Sequence, residues 1–411
     1  MKVAFDVQHL LSHNKTGIAY YTEQIIKALL QKKQNMHKDI NSIENIENVD
    51  YILNFFSIRN TANKVAHFMQ TYVASSIKPC SYFSYTVYKM LYSFLPVPYS
   101  LFHSENANIY HFFNFVVPPF VNGKVVLTVH DLVFKDFPET VNNKTKFFLQ
   151  RNFAKSLKRA DAIVVISEFT KSRLLHHYNI SDKIIEVIPC GVDFEMFNSS
   201  PIIESNDLNF PINPSILENV KKKYGIGHEY FLYIGTLEPR KNIERLINAY
   251  VNFAKERINP PQLVLGGGKG WLDKSIYDAL QKSQKTENAQ IIQTGYLNRD
   301  EIPVLMRGAI AFCFPSIYEG FGMPVLEAMA CGVAVLTSNA ASMPEVVADT
   351  GLLVDPFDTN SITQGLSKLY DDNDYRLNLA LKGYIRSKKF SWEVAASKLL
   401  KLYNTISASK P

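Results

Sequence analysis

Short apolar runs rich in β-branched and aromatic residues recur along this chain, and each is followed by a pattern typical of a helix. Runs that are apolar throughout, rather than at alternate positions, indicate strands buried on both faces of a sheet. Strands that alternate with helices favour parallel sheets covered on both sides. The runs are KVAFDV, IYHFFNF, VVLTVHD, AIVVISE and IIEVIPCG in the first half, and YFLYIGT, QLVLGGG, AQIIQTGY, IAFCFPS, VAVLTS and GLLVDP in the second. This pattern predicts an α/β fold of two doubly wound domains that face each other across a cleft.

Chain length and local composition indicate where these domains begin and end. At 411 residues the chain is too long for one ordinary domain, and two domains of roughly 200 residues each are expected. Residues 198–220 are rich in Pro, Asn and Ser, which is typical of a connection between domains. We therefore predict a first domain over residues 1–200, a linker over 201–220 and a second domain over 221–388.

The composition and the first residues of the chain indicate its cellular compartment and the kinds of partner that it could contact. The net charge of +6 does not by itself indicate nucleic acid, but it permits contact with an anionic substrate or an anionic membrane face. The four cysteines are scattered, as in a reducing compartment. The start MKVAFDVQHL predicts a buried strand rather than a signal peptide. No apolar run reaches the roughly 18 residues of a spanning helix. We therefore expect a cytoplasmic protein.

Two glutamates flank a glycine-rich turn in YEGFGMPVLEAMACG, residues 318–332. A predicted strand precedes this turn and a predicted helix follows it. Glu319 lies before the turn and Glu327 one helical turn inside the helix, so both carboxylates can accept hydrogen bonds from hydroxyls in one cleft. Two polyol groups, a hexose and a ribose, would suit this pair. The alternative is a helix-start acid favoured by the helix dipole and a second, exposed acid. Three amides become unpaired donors at the start of the helix: those of Phe321, Gly322 and Met323.

A second turn, in GTLEPRKN, follows the predicted strand YFLYI. Gly235 opens this turn, and Arg240 and Lys241 lie side by side before the next helix. Adjacent cations at the carboxyl edge of a parallel sheet suit a diphosphate, because Arg can contact two oxygens and Lys adds a point charge. Each charge-assisted hydrogen bond contributes about 1.5–3 kcal/mol. An Arg-Lys pair alone is more often a solvated surface, and the strand–turn–helix context favours the diphosphate site.

Four motifs resemble those of the retaining glycosyltransferases of family 4, which have the GT-B fold of two Rossmann-like domains. They are GTLEPRKN, LGGGKGW, GYLNRDEIPVLM and YEGFGMPVLEAMACGVAVLTS with the later MPEV. The resemblance extends from about Tyr230 to the end and is patchier before that residue. FSWEVAASKLLKLY, residues 390–403, also resembles the last helix of the family. The resemblance implies a C-terminal helix over 389–411 that crosses back to the first domain.

The resemblance also assigns roles in the second domain. Glu319 is expected to bind hydroxyls of the donor sugar, and Glu327 the hydroxyls of the ribose. Arg240 and Lys241 are expected to neutralise the diphosphate as it leaves. The remaining expected contacts are the amides of Phe321, Gly322 and Met323 at the sugar, Gly235 at the diphosphate, Gly295, Tyr296 and Leu297 at the base, and the Gly266–Gly268 turn along the nucleotide. A glycine-rich turn after a strand equally fits tight packing.

The first domain is expected to supply the acceptor side. LTVHDLVF ends a strand with His130, and the resemblance implies that this histidine positions the donor sugar near the reacting carbon. A satisfied histidine at a strand end is the alternative. Gly17 precedes a helix whose amides would approach the diphosphate. The family often has a glycine pair there, and this chain has Thr16 instead of the first glycine. Cys190 stands where the family often has Asn, which puts the contact of that Asn in doubt.

No metal site is predicted. The only D-x-D sequence, residues 372–374, lies in the helix-rich tail, where a polar turn between helices is expected. Without a metal, Arg240, Lys241 and the helix-start amides have to stabilise the departing diphosphate. The resemblance implies retention at the anomeric carbon, with attack on the face from which the diphosphate leaves. No carboxylate is plainly placed as a covalent nucleophile.

Two segments of the first half bear on the acceptor. Residues 81–102 are rich in Tyr and Phe and carry a single charge. They fit helices packed within the first domain, or a surface that docks on a membrane. Residues 141–160 contain six basic side chains and no acid, and Arg151, Lys155 and Lys158 share a helical face. That face, within the basic stretch 144–159, fits anionic lipid or a lipid-linked diphosphate, and equally a solvated helix.

These features together predict a metal-independent, retaining hexosyltransferase. It would move a sugar from a nucleotide diphosphate to a hydroxyl of a growing, lipid-linked surface polysaccharide such as a lipopolysaccharide O-antigen. GTLEPRKNIERLINAY most resembles the mannosyltransferases of this group, which favours GDP-mannose; UDP-glucose, UDP-galactose and UDP-GlcNAc remain alternatives. Expected partners are this donor as co-substrate, a saccharide acceptor and an anionic membrane. Two alternatives from other classes are an epimerase or hydrolase of nucleotide sugars and an inactive GT-B scaffold.

Overall fold

The protein is described by a computed structural model that covers residues 1–12, 16–36, 49–73, 75–197, 202–204, 207–209, 212–268, 270–271 and 274–408. The chain forms two compact units, residues 1–191 with 392–411, and residues 192–391. The stretch 201–220, predicted as a linker, belongs to the second unit, and part of it lies outside the described residues.

The first unit is built on a parallel sheet. Within the described residues, its seven strands lie in the order β3-β2-β1-β4-β5-β6-β7. From β1 the chain moves outward to β3 and then returns to the other side of β1 with β4, so the topological switch point lies between β1 and β4. The strands are β1 (Lys2–Asp6), β2 (Asp50–Phe56), β3 (Ser75–Cys80), β4 (Ile109–Phe112), β5 (Lys124–Val129), β6 (Ala162–Val165) and β7 (Ile184–Val187).

Helices connect these strands as expected for parallel pairing. Ser167 caps the helix after β6, since its hydroxyl accepts the Thr170 amide at 3.0 Å. The helices are α1 (Gly17–Met36), α2 (Thr61–Thr71), α3 (Tyr85–Phe94), α4 (Val133–Asp136), α5 (Asn143–Arg159) and α6 (Glu168–His177).

Strands β2 and β3 are absent from the predicted runs. β3 is an edge strand that contains Pro79, and partly buried and exposed positions alternate along most of it. Its sequence SSIKPC therefore lacks the apolar character of the buried strands. Helix α3 lies within residues 81–102. It buries Tyr88 and Tyr92 in the unit and exposes Met90 and Phe94, so this segment is packed on one face and apolar at the surface on the other.

The second unit contains a second parallel sheet. Within the described residues, its strand order is β12-β11-β10-β13-β14-β15, so the switch point lies between β10 and β13. These strands are β10 (Tyr230–Ile234), β11 (Gln262–Gly266), β12 (Ile291–Gly295), β13 (Ala311–Phe314), β14 (Val335–Ser338) and β15 (Leu352–Val354). They are preceded by α7 (Phe194–Phe197) and by the antiparallel pair β8 (Ile202–Glu204) and β9 (Asp207–Asn209).

A polar turn separates the last two helices of the second unit. Asp372 accepts the Tyr375 amide at 2.9 Å and pairs with Lys368, which confirms the predicted polar turn between two helices. The helices are α8 (Pro214–Tyr224), α9 (Ile243–Lys255), α10 (Lys274–Ser283), α11 (Ile302–Arg307), α12 (Met323–Ala330), α13 (Met343–Val347), α14 (Thr359–Asp371) and α15 (Asn373–Ser387).

The last helix, α16 (Trp392–Ala408), packs against α1 in the first unit. The ring centre of Trp392 lies 5.5 Å from that of Tyr21 and 6.4 Å from that of Tyr20. The Tyr403 hydroxyl lies 2.6 Å from Nδ1 of His111, a buried residue of β4. The predicted return of the terminal helix to the first domain is therefore confirmed. Over the described ranges, no helix is both long and apolar enough to cross a membrane.

Candidate active site

The glycine-rich turn joins β13 to α12 at the switch point of the second sheet. Gly322 is the N-cap of α12 and has a left-handed backbone, with φ of 91°. A Cβ there would lie 2.3 Å from Cε of Met343, the end of a flexible side chain, so the left-handed backbone is the stronger reason for glycine. Within the described chain, the amides of Phe321, Gly322 and Met323 have no hydrogen-bond acceptor. These are the donors predicted at the helix start.

Glu319 is buried before this turn, and its carboxylate bridges two cations. Oε2 accepts a hydrogen bond of 2.9 Å from Nη1 of Arg240, and Oε1 accepts one from Nζ of Lys241. The backbone oxygen of Glu319 accepts the Ser342 hydroxyl at 2.9 Å, which fixes the turn. Burial alone would raise the pKa of Glu319, but Arg240 and Lys241 outweigh it and hold that pKa below its usual range. Three predicted site residues therefore form one cluster, in which Glu319 and Lys241 are buried and Arg240 is partly exposed.

The two cations lie on a short 3-10 turn, Pro239–Lys241, that follows β10. Nε of Arg240 lies 2.7 Å from Oε1 of Glu238, and Nζ of Lys241 lies 4.9 Å from the ring centre of Phe314. Burial and the neighbouring Arg240 lower the pKa of Lys241, and the adjacent carboxylates oppose this shift. The cluster thus contains two cations and two carboxylates. Glu238 was not predicted as a site residue, although it lies inside the GTLEPRKN motif.

Asn242 anchors the cationic turn to two other strand ends. It has a left-handed backbone, with φ of 62°, and it is buried. Its side-chain Nδ2 donates hydrogen bonds to the backbone oxygens of Pro315, at 2.9 Å, and Pro356, at 2.6 Å. These residues follow β13 and β15, so Asn242 fixes the position of Arg240 and Lys241 against the sheet.

Glu327 lies in α12 and is paired with a cation that the sequence analysis missed. Oε1 of Glu327 lies 3.0 Å from Nη2 of Arg299, which begins the turn after β12. Burial raises the pKa of Glu327, and Arg299 opposes this shift. Arg299 follows directly on the TGYLN residues predicted to face the base, and its place in the motif GYLNRDEIPVLM was the available signal.

Glycines lie at the carboxyl ends of three neighbouring strands, where the backbones come close together. The Gly235 amide donates to the Gly266 oxygen at 2.9 Å, and the Gly267 amide donates to the Gly295 oxygen at 2.8 Å. Gly267 has φ of 143°, and a Cβ there would lie 2.0 Å from the Gly235 oxygen. The structure therefore brings Gly235, the Gly266–Gly268 turn and Gly295 together at the carboxyl edge of β10, β11 and β12.

The residues predicted to face the base differ in exposure. Gly295 has a left-handed backbone, with φ of 68°, and Tyr296 is exposed. The Leu297 side chain is buried, and its Cδ1 would lie 2.5 Å from a Cβ on Gly266. Leu297 therefore packs against the β11 turn, and Tyr296 is the accessible side chain of the pair.

The predicted residues of the first domain lie in the other unit. His130 follows β5 and is buried, and its Nε2 lies 2.7 Å from the Phe113 oxygen. Because a carbonyl only accepts, Nε2 carries the hydrogen. Burial lowers the pKa of His130 to about 4, so the ring is neutral at pH 7. Gly17 is the exposed first residue of α1. Cys190 is a buried free thiol. Among the residues that the structure describes, no cluster of three or more His, Cys, Asp and Glu could hold a metal ion.

The chain matches two family profiles that together span most of its length. Residues 63–196 match the profile described as Glycosyltransferase Family 4, and residues 218–386 match that of Glycosyl transferases group 1. Over 301 residues the chain is 33% identical to O-antigen chain mannosyltransferase B of Escherichia coli. The match covers 72% of this chain and 74% of that protein. It is 30% identical over 281 residues to the serotype-specific mannosyltransferase WbdA of Escherichia coli, of which the match covers 32%.

Solved structures agree with the observed fold. Sucrose-phosphate synthase from Thermosynechococcus elongatus has a TM-score of 0.71 at 18% identity, with both chains covered completely. Anabaena HepE in complex with UDP and glucose has a TM-score of 0.70 at 16% identity, over 98% of this chain and 100% of HepE. At these identities the likeness concerns the fold alone, and it confirms the predicted GT-B architecture. Fold, family profiles and relatives agree: the chain belongs to glycosyltransferase family 4 and is a retaining hexosyltransferase of the GT-B fold that uses a nucleotide-sugar donor.

Proposed function

We propose that this protein transfers mannose from GDP-mannose to a growing bacterial surface polysaccharide. The observation that carries this proposal is the 33% identity to O-antigen chain mannosyltransferase B across 74% of that protein. The match to WbdA, also a mannosyltransferase by name, supports the same donor. The likeness to HepE with UDP and glucose gives no preference for a UDP-sugar, because 16% identity supports only the fold.

In this proposal the donor binds across the two turns after β10 and β13. Arg240 and Lys241 hold the diphosphate, and no metal takes part. Glu319 accepts hydroxyls of the mannose, and Glu327 accepts the ribose hydroxyls. The free amides at the start of α12 face the same ligand, because unpaired donors there favour negative charge and hydroxyl oxygens. The nucleotide is lined by Gly235, Gly295 and Tyr296. Leu297 packs against the turn after β11 and supports them.

The ion pairs of the cluster imply how the donor is received. Arg240 and Lys241 are already compensated by Glu238 and Glu319. A diphosphate that binds these cations has to compete with the Glu319 carboxylate for them. Glu319 is then released towards the sugar hydroxyls, which donate hydrogen bonds to it. Occupation of the diphosphate site therefore prepares the acid for the sugar.

The first unit contributes a neutral histidine and the start of α1. His130 uses its Nε2 hydrogen on the Phe113 backbone, so Nδ1 is the atom left to accept a hydrogen bond from a sugar hydroxyl. With a pKa lowered by burial to about 4, His130 is unsuited to hold a proton at pH 7. We therefore assign it to positioning the donor sugar. The departing phosphate oxygen takes the proton of the acceptor hydroxyl, and we assign the α1 amides near Gly17 to the diphosphate.

A lipid-linked acceptor requires a surface that meets the membrane, and helices α3 and α5 provide one. The α3–α5 surface consists of exposed apolar and basic side chains: Val87, Met90, Phe94, Phe147, Lys144, Arg151, Lys155 and Lys158. The two helices are joined, since Nε of Arg151 donates to the Ser93 oxygen at 2.6 Å and its guanidinium lies 4.5 Å from the Phe94 ring centre. Exposed apolar side chains and cations on one surface suit an anionic bilayer. The protein would then work at the inner face of the cell membrane.

Liposome co-sedimentation tests this surface. The wild type is expected to sediment with vesicles that contain phosphatidylglycerol, and less with vesicles of phosphatidylcholine alone. Met90→Asp with Phe94→Asp is expected to abolish sedimentation. Ile258→Asp is the matched control, because Ile258 is 93% exposed but lies in the second unit. Equal sedimentation of all three proteins would contradict the assignment.

A screen of donors tests the proposed reaction. Ligand binding to the native state raises the melting temperature, so GDP-mannose is expected to stabilise the protein more than UDP-glucose, UDP-galactose or UDP-GlcNAc. Mannose transfer to extracts of lipid-linked saccharide, followed by mass spectrometry, then identifies the product. Stabilisation by a UDP-sugar alone would replace the mannose assignment. Rapid turnover of donor without acceptor would instead favour a hydrolase.

A further inference from the structure

A cavity of about 440 Å³ lies in the first unit, where β1 and β4 end. Asp6, the last residue of β1, is opposite Phe112, the last residue of β4. This is the switch point of the first sheet, the position at which doubly wound sheets bind ligands. The volume falls in the usual range of small-molecule sites, roughly 300–1,000 Å³. All of the lining residues belong to the first unit, whereas the acids and cations assigned to the donor belong to the second.

Aromatic side chains form a large part of the cavity wall. Tyr85, Tyr88 and Tyr92 face it from α3, and Phe148 faces it from α5. These tyrosines come from residues 81–102, the segment whose composition fitted two interpretations. Flat apolar rings with a few polar groups are typical of sites that bind amphipathic ligands. A sugar ring, with an apolar C–H face and a rim of hydroxyls, matches this wall.

Asp6 is an acidic group of the cavity wall, and its hydrogen bonds leave acceptor capacity unused. Its carboxylate accepts the Gln8 amide at 3.4 Å and the Tyr99 hydroxyl at 3.3 Å, both long for hydrogen bonds. A carboxylate offers about four acceptor positions, so Asp6 retains room for two ligand hydroxyls. Burial raises the pKa of Asp6 to about 6, which fits a carboxylate with few close donors.

The loop after β4 connects this cavity to His130. Phe115 lines the cavity and has a left-handed backbone, with φ of 57°, which is strained for an aromatic residue. The Val116 amide holds this turn by donating to the Asn114 oxygen at 2.6 Å. The Phe115 ring centre lies 5.8 Å from that of His130, whose Nε2 donates to Phe113 in the same loop. Phe115 therefore contacts both the cavity and the histidine assigned to the donor sugar.

We propose that this cavity binds a terminal sugar ring of the acceptor. Asp6 accepts hydrogen bonds from hydroxyls of that ring, and Tyr85, Tyr88 and Tyr92 pack on its apolar face. The inference rests on the proposed function in one respect, that the saccharide bound here is the acceptor of the transfer. Asp6 thereby determines which acceptor hydroxyls are recognised.

Titration with mannobiose in the absence of nucleotide tests the cavity. Asp6→Asn is nearly isosteric and removes the charge, and Tyr85→Ala removes part of the wall. Leu101→Ala is the matched control, because Leu101 lies in the same segment but is exposed. Wild type and control are expected to bind mannobiose equally. Both cavity variants are expected to bind it at least about tenfold more weakly, while their affinity for GDP is unchanged.

Two outcomes would overturn the proposal. One is equal mannobiose affinity of the wild type and both cavity variants. The other is a wild type that binds none of mannobiose, maltose, chitobiose and lactose at millimolar concentration. Failure of the proposed function would be seen elsewhere, as absent GDP-mannose turnover with intact saccharide binding. Once an acceptor is found, Asp6→Asn is expected to raise its KM at least about tenfold and to leave the donor KM unchanged, which a purely structural role would not do.

Discussion

The carboxylate of Glu319 lies 2.9 Å from the guanidinium of Arg240, and its other oxygen pairs with Lys241. These contacts join the turn after β10 to the turn after β13, the two strands on either side of the switch point of the second sheet. The acid assigned to the sugar and the cations assigned to the diphosphate are therefore one electrostatic unit before a donor is bound. Changes at any of the three residues are expected to affect the other two.

The two glutamates are expected to separate catalysis from binding. Glu319→Ala is expected to lower the rate of transfer by at least about a hundredfold, because the hydroxyls of the donor sugar lose the carboxylate that accepts their hydrogen bonds. It is expected to keep or strengthen GDP binding, since it frees Arg240 and Lys241. Glu327→Ala is expected to weaken GDP binding about ten- to hundredfold through the lost ribose hydrogen bonds. Isothermal titration together with a transfer assay measures both, and the reverse pattern would refute the assignment of the two acids.

Glu238 is expected to act by positioning Arg240. It is buried and its Oε1 lies 2.7 Å from Nε of that arginine, so Glu238→Ala removes a carboxylate that orients the guanidinium. We expect at least about a tenfold loss of GDP affinity for Glu238→Ala. Glu238→Gln retains an oxygen at the same position and is expected to recover most of the affinity. Equal affinity in both variants and the wild type would show that Arg240 needs no such support.

Neighbouring glycines in the turn after β11 are expected to respond differently to the same substitution. Gly267→Ala places a Cβ 2.0 Å from the Gly235 backbone oxygen at φ of 143°, and neither can move without breaking the strand ends. We expect the free energy of unfolding to fall by about 2–4 kcal/mol. Among the described residues, Gly268→Ala meets no atom within 4 Å, and it is expected to change this free energy by less than about 0.5 kcal/mol. Urea denaturation measures both, and equal effects would be inconsistent with the described turn.

His130 is expected to remain neutral with its hydrogen on Nε2 well below pH 6. Burial lowers its pKa to about 4, whereas an unfolded histidine titrates near 6.5. Since the unfolded chain binds the proton more tightly, stability is lost as the pH falls from about 6.5 to 4, by up to about 1.4 kcal/mol per pH unit. Nitrogen chemical shifts of the imidazole, followed from pH 7 to 5, report the tautomer directly. An imidazolium signal from His130 at pH 6 would contradict its role as a neutral hydrogen-bond acceptor.

The parts of the fold that follow from sequence are those with a strong local pattern. Runs such as AIVV and AFCF are buried along their full length, and they became central strands as predicted. Edge strand β3 carries Pro79 and exposed positions, so it lacked that signal. The return of α16 rests on contacts such as that of Trp392 with Tyr21, which no local pattern contains and which only the family resemblance implied.

In the candidate site too, the residues that could be predicted are those with a local sequence pattern. Glycine-rich turns and paired charges mark Arg240, Lys241 and Glu319 in the sequence, because each lies next to a recognisable strand end. Arg299 approaches Glu327 from a turn 28 residues away, and this pairing depends on how β12 and β13 are ordered in the sheet. Asp6 gave no signal beyond the end of a strand. The role proposed for it depends on the cavity that it lines together with α3, α5 and the β4 loop.

The most direct test of the donor site is a crystal structure of the protein with bound GDP-mannose or a non-hydrolysable analogue. We predict the diphosphate within hydrogen-bonding distance of Arg240 and Lys241, the ribose at Glu327 and the mannose at Glu319, with the Glu319–Lys241 contact opened. Density for the donor away from all four side chains, in a protein that still catalyses transfer, would contradict the account.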